Sequence, residues 1–566
     1  MRKALAAATF AAFALLFVIV NRGAYEGFFH GDELNNIYWT RYLSVADWVR
    51  GFLSPRYYPQ NFRPVGHLYF NLMARAAALD FWWYVLSIHG LHLLNVWLLW
   101  RLLRRRFELP VSAAGVGALV FAFHMGVFDA LWKPMYVFDL LCTVFSLVCL
   151  LAYTRPGRAA WMLSFLCFWL ALKSKEMAVM LPAALLAWEF LGGRRDWKRC
   201  APLMAVSLAF GLQALLANAA RQSAYSFHLA PAELCKSLEF YSSRIFLMPH
   251  AGVALLLVPW LVRDRRAWFG LAFFALLLTP MLLLTERLFG AYLYLPLTGL
   301  AITAALAAAR LPRAVVAAFL LVWLPWNHAF LRAQRREALS LADENRRYVL
   351  RLRQIVTDHP GIRTFVYDGI PASLQTWGLE AAIGYFTGRG DLHLHSAEDR
   401  GLGKALEEGA GVVLLSWDPA RRELEAFTRP PGQPEASYIA VGRLAPVWQF
   451  GEGWYASGGH FRWCRPYATA RLHRPPGAKG FELVVNMGPP PAGGPVRATV
   501  FLNGRLAGSK ELPRGSGWHT VRWPLPQGPP GPVYVEIRVE PPFVADPANP
   551  LGLAVGGFGF LPRESL

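Results

Sequence analysis

Long apolar runs alternate with short polar or charged breaks over the first 331 residues of the chain, and mixed sequence rich in Pro and Gly follows. A helix that spans a bilayer needs roughly 20 mostly apolar residues. The apolar runs lie at residues 3–20, 82–102, 111–124, 134–153, 159–173, 177–192, 201–219, 241–262, 267–285, 290–309 and 314–331. The pattern therefore predicts a polytopic α-helical membrane protein with about eleven transmembrane helices and a water-exposed C-terminal region.

The segment between the first two runs, residues 21–81, is long and rich in Trp and Tyr. It contains two amphipathic stretches, residues 34–43 and 65–78, of the kind that lie in the plane of the membrane interface. The first run has the basic start and apolar core of a signal peptide, but Val20-Asn21-Arg22-Gly23 lacks a small-x-small cleavage site. We interpret that run as a retained first helix.

Basic residues fall in short clusters between alternate apolar runs, which fits membrane orientation better than nucleic-acid binding. The formal net charge is +20, yet no arginine-rich arm or nucleic-acid motif accompanies it. The clusters are Arg101 with Arg104–Arg106, Arg155 with Arg158, Arg194 and Arg195 with Lys198 and Arg199, Arg263 with Arg265 and Arg266, and Arg310 with Arg313. Cytoplasmic loops collect Lys and Arg in this way, so we predict a cytoplasmic N-terminus and an extracytoplasmic C-terminal region.

The extracytoplasmic region shows two successive patterns. Residues 332–358 predict a charged helix, and a helical stretch at 373–385 lies between buried strands at Arg363–Asp368 and Gly411–Trp417, which indicates a small α/β unit. Short strands separated by Gly and Pro follow at residues 468–472, 481–485, 496–502, 520–524, 533–539 and 553–560. With the Asn503-Gly504 turn, these strands predict a β-sandwich. The predicted domains are therefore residues 1–331, with the first external loop at 21–81, then 332–437 and 438–566.

Aromatic side chains in the predicted sandwich have two interpretations. Trp448, Trp454 and Trp463 could stack on sugar rings if they are exposed. They could equally belong to the core of the sandwich.

Two adjacent carboxylates, Asp32 and Glu33, follow the first apolar run within the sequence His30-Gly31-Asp32-Glu33-Leu34. One carboxylate at the mouth of a membrane cavity can accept a proton from an attacking hydroxyl, or the two together can hold a divalent cation. Asp-Glu pairs are common in surface loops, so the position of this pair is what makes it a candidate site.

Several cations lie on the same predicted face. Arg63 is in the first external loop, Lys173, Lys175 and Glu176 interrupt an apolar stretch, and Arg287 precedes another apolar run. Guanidinium and ammonium groups there suit a phosphate leaving group, whose charge grows as its bond breaks. For one isolated cation, snorkelling toward lipid phosphates is the simpler explanation, but several cations facing an acidic pair favour a site.

Four segments in order resemble motifs of the GT-C superfamily of glycosyltransferases that use polyprenyl-phosphate sugars, which includes protein O-mannosyltransferases, aminoarabinose transferases and TMTC-like members. They are the Asp32-Glu33 pair, FRPVGHLYFN at residues 62–71, LKSKEMAVMLP at 172–182 and ERLFGAYLYLP at 286–296. The resemblance covers roughly the first 330 residues. The last segment departs from the family pattern, because Leu288–Ala291 separate Arg287 from Tyr292.

The resemblance implies inverting sugar transfer from a lipid donor, of which undecaprenyl-phosphate sugar is the expected form, to an extracytoplasmic acceptor hydroxyl in a bacterial inner membrane. Asp32 or Glu33 would be the catalytic base, and a divalent metal held by both carboxylates is the open alternative. The donor phosphate would be bound by Arg63, Lys173, Lys175 and Arg287. His67, Glu176, Tyr292 and Tyr294 would contact the substrate.

Three other functions fit the same hydropathy. A transporter of lipid-linked sugars or polysaccharides would show paired internal repeats and midplane charges, which this sequence lacks. An O-antigen ligase or polymerase that joins whole glycans would not need the acidic pair. A scaffold protein without catalysis would use the predicted sandwich to hold glycan.

Overall fold

The computed structural model describes residues 2–55, 62–191, 195–219, 226–399, 411–428, 435–442, 445–486, 495–513, 515, 517–543 and 549–561. The chain divides into two compact units, Met1–Asp343 and Glu344–Leu566.

The first unit is helical. Its α-helices are α1 (Arg2–Val20), α2 (Gly31–Trp39), α3 (Val45–Leu53), α4 (Pro64–Ala77), α5 (Phe81–Arg105), α6 (Val111–Ala122), α7 (Phe128–Trp132), α8 (Val137–Tyr153), α9 (Arg158–Ser174), α10 (Leu181–Leu191), α11 (Ala201–Ala219), α12 (Pro231–Phe246), α13 (Val258–Val262), α14 (Arg265–Leu282), α15 (Leu297–Arg310) and α16 (Arg313–Asp358). Short 3₁₀ helices join several of them, at Arg22–Glu26, Thr40–Tyr42, Met125–Val127, Pro134–Tyr136, Glu176–Met180, Trp197–Cys200, Ala251–Leu257 and Gly290–Leu293.

Several of these helices are long and apolar enough to cross a membrane, so the predicted polytopic membrane class is confirmed. Among the described residues six helical segments qualify, and one bent pair would make a seventh. Two further apolar helices, Ala8–Val20 and Leu297–Arg310, are shorter. The count of eleven spans stays a prediction.

The apolar run at residues 241–262, which was predicted as one span, does not form one continuous helix. The chain there runs through α12 and then through Ala251–Val262, which is bent away from α12 by 80°. Leu247 and His250 adopt left-handed backbone conformations with φ of 55°, and Pro249 between them cannot donate the backbone hydrogen bond that a continuing helix needs. The Met248-Pro249 sequence was the signal for this break.

Glycines let two membrane helices approach closely. A Cβ added at Gly299 of α15 would meet the carbonyl oxygen of Gly270 on α14. Helix pairs in membranes rely on such small residues for packing, since lipid supplies little hydrophobic drive for association.

Among its described residues, the predicted first external loop contains three α-helices. The amphipathic stretches predicted at 34–43 and 65–78 correspond to α2 with the 3₁₀ turn Thr40–Tyr42 and to α4. The sequence analysis did not predict α3, whose Val45, Val49 and Leu53 form an exposed apolar stripe at helical spacing. That stripe suits the interfacial position that was predicted for this loop.

The second unit contains one helix beyond α16 and fourteen described strands. They are α17 (Gln375–Thr387), β1 (Thr364–Asp368), β2 (His393–Ser396), β3 (Val412–Asp418), β4 (Glu423–Thr428), β5 (Tyr438–Ala440), β6 (Trp454–Ser457), β7 (Arg462–Cys464), β8 (Tyr467–Arg474), β9 (Gly480–Asn486), β10 (Val496–Leu502), β11 (Arg505–Leu512), β12 (Trp518–Pro524), β13 (Gly531–Glu540) and β14 (Ala554–Leu561).

The strands form the two predicted kinds of sheet. In the first sheet, ordered β2-β1-β3-β4, β1 pairs in parallel with β2 and β3. The sandwich has one sheet ordered β11-β10-β13-β8 and another ordered β12-β9-β14-β7-β6, and their buried side chains share one core. Asn503 and Gly504 both have positive φ, 51° and 74°, and make the tight turn between β10 and β11.

The structure places Trp454 in the core of the sandwich. Its side chain is 4% exposed, its ring stacks on Phe558 at 5.4 Å between centroids, and its indole N–H donates to the Thr469 carbonyl at 2.7 Å. Sugar stacking by Trp454 is therefore excluded by burial. Trp448 also packs partly buried against that core, and the Trp463 ring lies 6.4 Å from that of Phe461.

Candidate functional site

The two adjacent acids at the start of α2 face different surroundings. Asp32 is exposed, whereas Glu33 is completely buried. The Glu33 carboxylate accepts the backbone N–H of His30 at 2.9 Å and that of Met135 at 3.1 Å, one at each oxygen. Glu33 therefore caps its own helix and fastens that helix to the turn before α8, while Asp32 remains accessible.

The pKa of Glu33 and the position of its carboxylate point to different roles. Burial, with a smaller contribution from the charge of Asp32, raises the pKa of Glu33 to about 7. A carboxyl group that titrates near neutrality suits a general base, but a base must also reach the proton that it removes. Because Glu33 has no exposed surface and both oxygens accept backbone N–H groups, the geometry favours Asp32.

The donor set at this acidic pair does not fit a metal ion held by both carboxylates. The Glu33 oxygens already accept the two N–H groups, and the Asp32 side chain lies on the exposed side of the helix. Within the described ranges, no three His, Cys, Asp or Glu side chains come together as metal ligands.

Arg63 and Glu176 form an ion pair between the start of α4 and the segment after α9. The Arg63 Nε donates to the two Glu176 oxygens at 2.8 and 3.0 Å, and its guanidinium carbon lies 5.3 Å from the centre of the Phe138 ring. His67 is 5% exposed, and its Nδ1 accepts the backbone N–H of Arg63 at 2.9 Å. His67 thus fixes the backbone that carries Arg63.

A second ion pair joins Lys175 to Asp139 of α8. The Lys175 Nζ lies 2.6 and 2.5 Å from the two Asp139 oxygens, and both side chains are buried. The same ammonium lies 4.5 Å from the centre of the Tyr292 ring. The sequence analysis missed Asp139, although a lone carboxylate inside an apolar run is itself a signal for a functional group.

These two ion pairs stand at one end of a cavity of about 500 Å³. Its polar lining includes Arg63, Lys175, Glu176 and Tyr292. Most of the remaining wall is apolar and is contributed by residues 179–180, 207–215 and 279–284, with Phe227. The cavity therefore combines a charged region, in which two cations are each paired with a carboxylate, with a hydrocarbon-like wall. The guanidinium and ammonium groups and the apolar wall suit a ligand that has a phosphate head and an apolar chain.

A short stretch of chain connects the acidic pair to this cavity. Met135, which is bonded to Glu33, belongs to the 3₁₀ turn Pro134–Tyr136 that leads into α8, and Asp139 is in the first turn of that helix. Four residues along a helix rise only about 6 Å. The Glu33–Met135 bond thus fastens α2 to the turn that leads into α8, four residues before Asp139.

Besides Asp32, Glu33 and His67, three predicted site residues are not among those that line the cavity, although the Lys173 ammonium lies 5.7 Å from the ring centre of the lining residue Phe210. The Lys173 Nζ donates to the Ser54 carbonyl at 2.6 Å and lies over the Trp169 ring. Arg287 lies over the ring of Phe289, with its guanidinium carbon 5.3 Å from the ring centre. Tyr294 is completely buried, and its hydroxyl group bonds to His92 Nδ1 at 2.7 Å and accepts from Asn95 at 3.3 Å.

Comparison with known proteins gives matches in structure alone. No family model and no curated protein sequence matches the chain. The chain is similar to arabinofuranosyltransferase AftD from Mycobacteria, with 13% identity, a TM-score of 0.47 and coverage of 97% of this chain and 58% of that one. It is also similar to ArnT from Cupriavidus metallidurans bound to undecaprenyl phosphate, with 14% identity, a TM-score of 0.44 and coverage of 73% and 93%.

A third match is arabinosyltransferase EmbB from Mycobacterium smegmatis, with 14% identity, a TM-score of 0.30 and coverage of 96% and 64%. The chain thus spans less than two thirds of AftD and of EmbB. All three are GT-C glycosyltransferases, the superfamily that the four sequence motifs resemble. Because every TM-score is below 0.5, the assignment of an activity to this chain depends on its own residues.

Proposed function

We propose that this protein is a membrane glycosyltransferase that moves a sugar from a polyprenyl-phosphate donor to an acceptor hydroxyl on the extracytoplasmic side. The observation that carries the proposal is the cavity with Arg63 and Lys175 at its polar end and apolar walls beyond. An apolar chain attached to a phosphate matches both parts of that cavity at once. The exposed carboxylate of Asp32, on a helix that the Glu33–Met135 bond ties to the turn before α8, is proposed as the remaining group that the chemistry needs.

The proposed reaction is a single displacement at the anomeric carbon of the donor sugar. The acceptor oxygen forms the new bond to that carbon as the bond from the carbon to the phosphate oxygen breaks. The electron pair of the broken bond leaves with the polyprenyl phosphate, and the acceptor proton passes to the Asp32 carboxylate. The configuration at the anomeric carbon is inverted, because attack and departure take place on opposite faces.

The cations at the cavity have the task of neutralising the leaving phosphate. In the structure Arg63 is paired with Glu176 and Lys175 with Asp139. The carboxylates hold both cations in position before the donor arrives, so little reorganisation is needed when charge develops on the phosphate. Tyr292, which lies beneath the Lys175 ammonium, lines the same end and is proposed to contact the donor head.

The location of the charges favours a transferase over a transporter. A transporter is expected to place its substrate site near the bilayer midplane between repeated bundles. Here the acidic helix α2 belongs to the first external loop, and Arg63 begins the last helix of that loop. An enzyme that joins whole glycans has no need of Asp32, so a substitution there separates it from the proposed function.

The test measures release of label from radiolabelled undecaprenyl-phosphate hexose and pentose by the purified protein in nanodiscs, with bacterial membrane extract as the source of acceptor. Asp32→Asn should lower turnover by about 10²–10⁴-fold, the usual effect of losing a general base. The matched control is Glu26→Gln, which removes an exposed carboxylate of the same loop that pairs with Arg335 at 3.5 Å. The control should keep the wild-type rate.

Each result has a definite meaning. Release by the wild type and by Glu26→Gln, but not by Asp32→Asn, supports the transferase with Asp32 as its base. Equal release by all three removes Asp32 from the mechanism and favours a glycan-joining enzyme. Movement of intact lipid-linked sugar across the membrane of proteoliposomes, without any release of label, favours the transporter.

A further inference from the structure

A second cavity lies in the membrane unit, distant in sequence from the acidic pair and lined almost wholly by hydrocarbon. It has a volume of about 240 Å³ and lies between α6, α13, α15 and the first part of α16. Its lining includes Val120, Leu261, Ala308, Val315 and Phe319. Leu261 and Val315 are strongly exposed, so the cavity is a groove open to the surrounding medium, which in this unit is lipid.

The polar side chains of the groove need no polar ligand. His124 Nε2 contacts the Ile245 carbonyl oxygen at 2.8 Å, and its Nδ1 accepts the backbone N–H of Gly126 at 3.1 Å. The Thr303 hydroxyl lies 3.3 and 3.2 Å from the carbonyl oxygens of Ala267 and Gly299. With these groups satisfied, the occupant that fits is a hydrocarbon chain.

Arginines surround one end of the groove. Val262 and Leu311 line that end, and each is next to an arginine, Arg263 and Arg310 respectively. Arg313 begins α16 two residues after Leu311. All three arginine side chains are exposed. This end belongs to the side that the charge pattern predicts to be cytoplasmic.

The net charge at the arginine end of the groove is positive even when the nearby carboxylates are included. Asp264 binds Arg266 at 2.8 Å and lies 3.6 Å from Arg310. Glu108 acts electrostatically on Arg266. The arginines around the end are Arg263, Arg265, Arg266, Arg310 and Arg313. Five cations against two carboxylates leave a site that complements an anionic head group.

The length of the groove matches one leaflet. Along α16 the lining runs from Val315 to Trp323, which is about 12 Å at the helical rise. One leaflet contributes half of a hydrocarbon core that is roughly 30 Å thick. An acyl chain whose head group lies at the arginine end would therefore reach the His124 end of the groove.

We propose that this groove binds an anionic diacyl phospholipid, with one acyl chain between α6, α13, α15 and α16 and the head group among Arg263, Arg310 and Arg313. The site is separate from the sugar-transfer site and does not depend on the proposed activity. Bound lipid would fill the gap between the bent pair α12–α13 and the helices beside it. It would thereby add to the packing of the bent segment against α15 and α16.

The test uses a phosphatidylglycerol analogue with a diazirine at the end of one acyl chain, together with the matching phosphatidylethanolamine analogue. Each is added to the full-length protein in nanodiscs, and the labelled peptides are identified by mass spectrometry after irradiation. Phosphatidylglycerol should label peptides that contain Phe319–Trp323 or Val116–His124 at least fivefold more than phosphatidylethanolamine. Equal labelling by the two lipids, or labelling elsewhere, would overturn the proposal.

Variants separate the head-group site from general membrane charge. The double substitution Arg263→Gln with Arg313→Gln should lower phosphatidylglycerol labelling of these peptides at least fivefold. Arg158→Gln changes an exposed arginine of a different basic cluster that is not close in sequence to any lining residue of the groove, and it should leave labelling unchanged. Ala308→Phe should reduce labelling by filling the groove, while retained thermal stability shows that the protein is folded. Persistence of the label in the double variant and in Ala308→Phe would count against the site.

Discussion

The backbone N–H of Met135 donates a hydrogen bond of 3.1 Å to the carboxylate of Glu33, across 102 positions of the chain. This bond connects the first helix of the external loop to the turn that leads into α8. It also gives two adjacent acids different tasks, because it holds Glu33 in the interior and leaves Asp32 outside. One residue positions the helix, and its neighbour is exposed.

The first prediction concerns how much each of the two acids contributes to the stability of the protein. Glu33→Ala would leave the backbone N–H groups of His30 and Met135 without their acceptor, and a buried unsatisfied donor costs about 1–3 kcal/mol. We expect the apparent melting temperature of the detergent-solubilised protein to fall for Glu33→Ala and to stay at the wild-type value for Asp32→Ala. Nano-differential scanning fluorimetry measures the melting temperatures of both variants. A larger loss for Asp32→Ala than for Glu33→Ala would contradict the different roles assigned to them.

The second prediction is a pH dependence that comes from Glu33. Its pKa in the folded protein is raised from 4.5 to about 7 by burial, so the folded state holds the proton more tightly than the unfolded state. The stabilising effect is complete below about pH 4.5, decreases as the pH rises to about 7, and is absent above that. The difference over this window is about 3 kcal/mol.

The measurement for this prediction compares two proteins over the same pH range. The free energy of unfolding of the wild type, relative to that of Glu33→Gln, should decrease as the pH rises from 4.5 to 7 and should then level off. His30, whose pKa burial lowers to about 4, titrates in both proteins, so comparison of the two largely removes its contribution. Parallel pH curves for the two proteins would show that Glu33 does not titrate in this range.

Much of the fold follows from local sequence patterns. Apolar runs predicted the membrane helices, and the Asn503-Gly504 pair predicted the turn between β10 and β11, because both features depend on residues close together in the chain. The bend near Pro249 and the strand β11, with its many exposed residues, were missed. An exposed strand lacks the apolar alternation on which such predictions depend.

The site was predictable in its parts but not in its pairings. Lys175 and Glu176 were recognised as charges in an apolar stretch. The partner of Lys175, Asp139, is 36 residues away, and the partner of Glu176, Arg63, is 113 residues away. Only the folded chain determines which cation meets which carboxylate. The same holds for Lys173, which lies two residues before Lys175 and donates to a different segment.

The third prediction separates these two lysines. Lys175 lines the cavity, whereas Lys173 bonds to the Ser54 carbonyl and is not among the lining residues. We expect Lys175→Met to weaken binding of undecaprenyl phosphate at least tenfold and Lys173→Met to change it less than twofold. Binding of the lipid to protein in nanodiscs, followed by native mass spectrometry, gives both values. Similar losses for the two variants would remove Lys175 from the donor site.

Folding must be controlled in that experiment, because Lys175→Met leaves the buried Asp139 carboxylate without its counter-ion. Breaking a buried pair by removing one partner costs about 3–5 kcal/mol. The double substitution Asp139→Asn with Lys175→Met removes the stranded charge and should restore much of the melting temperature. It should not restore lipid binding, because the cation is still missing. Recovery of binding in the double variant would mean that Lys175 acts only through stability.

The fourth prediction concerns a buried ion pair in the second unit. Arg462 is completely buried, and its Nη2 donates to Asp368 Oδ2 at 2.5 Å, which ties β7 of the sandwich to the end of β1 in the parallel sheet. Asp368→Ala would leave a buried guanidinium without its counter-ion, at a cost of about 3–5 kcal/mol.

We expect limited proteolysis of the full-length protein to cut within Glu344–Leu566 much faster in this variant. The matched control is Glu511→Ala, which breaks the exposed Arg497–Glu511 pair and should leave the cleavage rate unchanged, since exposed pairs contribute little. Equal acceleration by both variants would mean that burial of the Arg462–Asp368 pair adds nothing to the stability of this unit.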